Sequence, residues 1–237
     1  RKKILFTLGI MALFRFGSVI PTPGVSYKNV QACIDLAQNN GLFALVNMFS
    51  GGALLHLSVF ALGIMPYITS SIIIQLLTVV IPRFEMLKQE GQSGTAKLTQ
   101  YTRYLTIGLG ILQSTGLIAV ARIPRRLFTN CPYDIIPAAS WTRIVTMVFV
   151  MTAGTAVIMW LGELITDRGI GNGMSILIFT SIAAGFPGQL WSIQVQNGFA
   201  TFAFILAVGV LIVAAVVFVE NAQRRIPVQY AKRMVGR

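Results

Sequence analysis

From Leu57 to Ile81 the chain runs 25 residues without a charge. At ~1.5 Å per residue, an apolar run of that length reaches across a bilayer, and no other feature restricts the fold as strongly. Three details set it apart from a plain spanning helix. Gly51-Gly52 weakens the helix before it begins. Pro66 sits inside the run, where the lost backbone bonds must be made up by neighbours or a wet cavity. Finally, Ile64, Ile68, Ser71, Gln75 and Thr78 fall at 0, 4, 7, 11 and 14 along the repeat, on one helical face. That face is apolar in its first half and polar in its second. Lipid disfavours Gln75, whereas the wall of an aqueous passage accommodates it.

The rest of the composition agrees with a membrane protein. Of 237 residues, 55% are hydrophobic and 11% charged, against about 25% charged in soluble domains. One histidine and two cysteines argue against a multi-ligand zinc site and exclude a disulfide framework. Arg1-Lys2-Lys3 leads straight into apolar sequence, which suits a retained first helix rather than a cleaved signal.

Six spanning helices are expected, at Ile4–Ile20, Ser58–Ile81, Tyr101–Val120, Thr142–Ile165, Met174–Ile193 and Phe199–Val219. This is an all-α polytopic fold. With the N-terminus inside, thirteen of the 19 basic residues fall on the cytoplasmic side and six outside. The cluster Arg122, Arg125 and Arg126 is the dissent. Ile20-Pro21-Thr22-Pro23-Gly24 ends the first helix and opens an outer loop. Cys33 lies in that loop and Cys131 in the next outer one. Two free thiols are the simpler reading, and a disulfide across the loops is the alternative. Thr166–Gly173 alternates glycines without the spacing of a phosphate loop, so a tight turn is expected there. The tail from Glu220 is basic, as an orientation signal, a contact with membrane lipids, or a dock for an anionic partner.

The fifth helix repeats the pattern of the second in the opposite direction. Ser175, Ile178 and Ile182 lie at 0, 3 and 7, on one face. Each helix therefore offers an isoleucine pair below a polar cytoplasmic approach. Ile64, Ile68, Ile178 and Ile182 are expected to form an apolar constriction that blocks ions by dewetting. Ser71, Gln75, Thr78 and Ser175 are expected to line the funnel that leads to it. Packing against lipid or neighbours is the alternative for each isoleucine.

Several longer segments resemble the SecY family, the pore-forming subunits of the bacterial protein-conducting translocon. They are FRFGSVIPTPG at 14–24, NMFSGGALL at 47–55, ALGIMPYITSSIIIQLLTVV at 61–80, EGQSGTAKLTQYTRY at 90–104, MWLGELITDRGIGNGMSILIF at 159–179 and FVENAQRRIPVQYAKR at 218–233. The resemblance implies a SecY-type inverted-repeat bundle of ten spanning helices, of which six are present. Residues 1–193 would form the N-terminal half, and 194–237 the sixth helix and the start of a basic cytoplasmic loop. It implies a plug at Asn47, Met48, Phe49, Ser50, Gly51, Gly52, Ala53, Leu54 and Leu55. It implies one side of a lateral gate at Thr69, Ile72 and Ile73. Arg224, Arg225, Lys232 and Arg233 would dock the ribosome or the SecA motor ATPase. Further implied partners are the SecE and SecG subunits, signal peptides, nascent polypeptides and helices 7–10 of the same protein.

Among function classes, a protein-conducting channel fits best. It would pass unfolded secretory polypeptides across the cytoplasmic membrane and release membrane helices sideways into it. A small-solute secondary transporter is the alternative, but it usually carries an ionisable or substrate-binding group near the midplane. An embedded enzyme would need paired aspartates, HExxH or a Ser/His pair in the membrane. Asp35, Asp134 and Asp167 all fall in loops, and His56 is the sole histidine. No cofactor and no metal is expected.

Overall fold

The computed structural model describes residues 2–36, 52–54, 56–123, 136 and 140–222. All regular elements among them are helices: α1 (Lys2–Val19), α2 (Tyr27–Leu36), α3 (Met65–Val80), α4 (Pro82–Gln89), α5 (Gln92–Arg122), α6 (Trp141–Arg168) and α7 (Gly173–Asn221). The chain divides into two compact units, Arg1–Phe186 and Pro187–Arg237.

In the first unit, small residues decide which faces meet. The buried stripe of α5 is Gly94, Thr102, Thr106, Gly110, Ser114, Ile118 and Ala121. That of α3 is Pro66, Ser70, Ile74 and Thr78, every fourth residue. In a membrane, helix association relies on close packing, and small residues let backbones approach. The buried hydroxyls do not oppose this. Ser70 donates to the Pro66 carbonyl at 2.8 Å, Thr106 to Thr102 at 2.7 Å and Thr155 to Met151 at 3.1 Å. With each hydroxyl satisfied inside its own helix, only its small bulk meets the neighbour. α5 packs on α3, α4 and α6, and α1 packs on α6.

The second expected span differs in its first half. Residues 58–64 are a series of turns, and helix begins only at Met65. Pro66 therefore stands in the first turn of α3, where its missing N–H costs no helical bond. The C-terminal end also departs from a straight span, because α3 meets α4 at a bend of 100°. Pro82 opens α4 after the extended residue Ile81, and the residue before a proline disfavours helical backbone.

The turn segment is held from two sides. Phe60 stacks on Phe14 of α1 with ring centroids 5.9 Å apart. On α6, a Cβ at Gly154 would overlap the Val59 carbonyl, so only glycine admits the segment there. Its backbone pairs with the end of the first helix: Val59 N–H donates to the Ile20 carbonyl at 2.9 Å and Thr22 N–H to Leu57 at 3.1 Å.

Around Leu57, a buried cluster gathers Val30, Cys33, Leu62, Ile118, Met147 and Met151. Cys33 is disulfide-bonded, which overturns the free-thiol reading. Cys131, the other cysteine of the chain, lies outside the described residues.

The second unit contains the apolar helical run Gly198–Asn221, set off by non-helical backbone at Gly198 (φ 81, ψ 169). Its 24 residues suffice to cross a membrane, and none is buried within the chain.

Candidate functional site

The turn that ends the segment and starts α3 carries Ile64, and one helical turn later Ile68. Both belong to an apolar cluster with Ile10, Phe14, Phe60, Ile158, Leu161, Met174 and Leu177. Ile64 is buried, while Ile68 and Ile178 are partly buried at the edge of the same cluster. Three of the four expected constriction residues are thus brought together. Ile182 is half-buried and is not among the residues of that cluster. The first turn of α7 supplies Met174 instead, one turn before Ile178. Sequence reading chose Ser175, Ile178 and Ile182, but Met174 and Ile178 share a face equally well at the i, i+4 spacing.

The first turn of α7 is fastened to the end of α6. Asn172 Oδ1 accepts from Met174 N–H at 3.0 Å, as a helix cap does. Thr166 Oγ1 accepts from Gly173 N–H at 2.9 Å. A Cβ at Gly162 would strike Met174, so the helix ends approach closely at this point. The glycines of residues 169–173 form the expected tight turn, with Gly171 at φ +66.

The expected funnel residues separate. Gln75 and Ser175 are exposed and Ser71 is half-buried. Thr78 is buried on the stripe that includes Ser70 and Ile74, and its hydroxyl donates to the Gln75 carbonyl at 2.6 Å. Of the expected gate residues, Ile72 is exposed, and Thr69 and Ile73 are half-buried. Thr69 donates to the Met65 carbonyl at 2.9 Å.

Beside the cluster lies a polar recess of about 320 Å³. Tyr67, Thr99, Arg103, Glu163, Asp167 and Met174 are among its lining residues. Arg103 of α5 holds Glu163 of α6 with both arms of its guanidinium, at 2.8 and 2.7 Å. The side chains are 44% and 21% exposed. Solvent screening therefore limits the fork to about 1 kcal/mol of stability. The two are 60 residues apart, so no periodicity links them.

Of the expected plug, Gly52, Ala53 and Leu54 are described. Asn47, Met48, Phe49, Ser50, Gly51 and Leu55 lie outside the described residues, as do Arg224, Arg225, Lys232 and Arg233. The described part ends in strain. Leu57 is fully buried with φ +46, a left-handed conformation that costs a side-chain-bearing residue about 1–2 kcal/mol. The buried hydroxyls of Thr22 and Ser58 have no hydrogen-bond partner, at about 1–3 kcal/mol each. Burial, and then the positive charge of Arg15, hold His56 below the ordinary histidine range. His56 is therefore neutral at pH 7.

Comparisons with known proteins point one way. The SecY family profile matches residues 58–237. The protein translocase subunit SecY of Streptomyces scabiei is 66% identical over 244 residues, covering 100% of this chain and 56% of that protein. The subunit of Mycobacterium tuberculosis is 57% identical, covering 100% of this chain and 54% of its own length. The chain thus spans about half the length of the curated relatives it matches. Among solved structures, Sec61 in the canine ribosome-channel complex from the endoplasmic reticulum aligns with a TM-score of 0.61 at 16% identity. That alignment covers 95% of this chain and 49% of that one. A solved protein-conducting channel aligns with the same score and identity, over 95% and 48%. With a family match over most of its length, strong identity throughout and the same helical fold, the chain belongs to the SecY family.

Proposed function

We propose that this chain carries one half of the constriction of a protein-conducting channel in the bacterial cytoplasmic membrane. The channel passes unfolded secretory polypeptides across the bilayer and releases membrane helices sideways into it. One observation carries the reading: Ile64 and Ile68 on one element, and Met174 and Ile178 on another, meet in a single apolar cluster beside a polar recess. Partly exposed apolar side chains at a cluster edge are what a half-ring presents to the half that completes it. A ring of this kind blocks ions by dewetting and yields to a passing chain.

The strain at Leu57 and the unpartnered hydroxyls of Thr22 and Ser58 support a plug that ends just before this point. Strain of this kind persists where the surrounding structure holds it, and it gathers at switch segments. The completing elements are helices 7–10 of the same protein, with SecE and SecG as companion subunits. The ribosome or SecA would engage Arg224, Arg225, Lys232 and Arg233. The N-terminus is cytoplasmic on the balance of basic residues.

The test is ion conductance of the intact channel in planar bilayers without a translocating chain. Ile68→Asn together with Ile178→Asn is expected to raise conductance. Ile182→Asn in place of Ile178→Asn reports whether the ring extends one turn further along α7. Unchanged conductance for both double variants, at normal abundance, sinks the constriction.

A further inference from the structure

We propose that the Arg103–Glu163 fork is a positioning brace for the constriction. It sets the spacing between the Ile64–Ile68 turn of α3 and the Met174–Ile178 turn of α7. The inference rests on the channel reading above.

The path of contacts makes the case. α3 packs on α5, and α5 packs on α6. The isoleucine turn reaches α6 directly, through Val59 against Gly154 and the shared apolar cluster, and also by way of α5, and on that second route the fork closes α5 onto α6 with two short bonds. At the other end, Asn172 and Thr166 fasten the first turn of α7 to the end of α6. Arg103, Glu163, Tyr67 and Met174 all line one recess. Tyr67 is the neighbour of Ile68, and its N–H donates to the Ile64 carbonyl at 3.0 Å. The fork, the isoleucine turn and the methionine turn thus share the walls of a single space.

A stabilising role alone does not account for the placement. α5 and α6 already meet along a small-residue stripe at Gly110, where an added Cβ would sit in ordinary van der Waals contact with Thr152 and Thr155. A pair this exposed adds little to folding. The same small free energy is a several-fold lever on an equilibrium between closed and open spacings. The guanidinium fork also constrains direction, which a point charge on a flexible stem does not.

The experiment uses the full-length channel with its partner subunits in planar bilayers, and reads resting conductance per channel. Glu163→Gln preserves size and removes the charge. It is expected to raise resting conductance about five-fold. Arg103→Lys retains charge without the fork and is expected to raise it less. The exchange Arg103→Glu with Glu163→Arg is expected to return it towards the original value. A contact that only stabilises would lower abundance and thermal midpoint while leaving conductance per channel unchanged. If Glu163→Gln leaves conductance unchanged while Ile68→Asn with Ile178→Asn raises it, the brace is wrong and the channel reading stands. If neither raises it, the channel reading fails and takes the brace with it. Should Glu163→Gln fail to accumulate, Arg103→Lys carries the same test, and unchanged conductance there overturns the proposal.

Discussion

Residues 57–64, LSVFALGI, and residues 205–213, ILAVGVLIV, are both uncharged and mostly apolar. In the first, Leu57, Ser58, Ala61 and Ile64 are all buried, and the backbone is a set of turns. In the second, every residue is exposed and the backbone is continuous helix. Hydrophobicity makes both compatible with a membrane but does not decide what covers them. In lipid, an unsatisfied backbone group costs several kcal/mol, so irregular backbone survives only where protein encloses it. The first stretch can abandon helix because Ile20, Thr22, Phe14 and Gly154 close around it. The second has no such enclosure within its unit, and intact helix is the form that satisfies its backbone unaided.

That contrast can be broken at single glycines and single apolar positions. The largest effect is expected at Gly154, where a side chain meets the Val59 carbonyl rather than a movable side-chain end. Gly154→Leu should leave no folded channel. Gly154→Ala should cost about 3 kcal/mol, the upper range for overpacking. Abundance in isolated membranes and thermal unfolding in detergent read the two variants, and a normal Gly154→Ala protein would show that the turn segment is not gripped by α6. A middle effect is expected at Val213, 63% exposed in the long apolar run. Val213→Arg should cost about 2.5–3.5 kcal/mol of membrane insertion, read as loss of membrane-integrated chain by protease protection. Full integration would mean that this face meets water or protein rather than lipid. The smallest effect is expected at Gly209, where an added Cβ meets nothing within 4 Å. Gly209→Ala should gain less than about 1 kcal/mol, so its thermal midpoint should stay near that of the parent. A loss comparable to that of Gly154→Ala would place an unseen close neighbour against this helix.

Much of the helical layout was legible in the residues. α1, α6 and both apolar parts of α7 fall close to where the apolar runs predicted them, whereas α5 begins at Gln92, nine residues before the expected Tyr101. The exception is the first half of the second span. Gly63 at φ +55 and Leu57 at φ +46 interrupt it, and only glycine could have flagged the first of these. Nothing in a leucine announces a left-handed conformation, because its cost is borne by the packing around it. The candidate site was read in the same uneven way. Face and residue type point to Ile64, Ile68 and Ile178, whereas Met174 shares its face with Ile178 but carries no isoleucine-pair signal. The Arg103–Glu163 fork left no trace in spacing, and the bond at Cys33 was legible only as the alternative that two loop cysteines offer.

The sequence by itself determined which segments are apolar enough and long enough to cross a bilayer, and where helices must stop. Those outcomes depend on local chemistry: runs without charge, prolines at helix starts and glycines in turns. The tertiary structure decided that the second span begins as enclosed turns. It also decided that Met174 joins the isoleucines, and that a guanidinium on α5 finds a carboxylate on α6. Each of these requires two distant surfaces to meet, and their free energies arise only once the helices have packed.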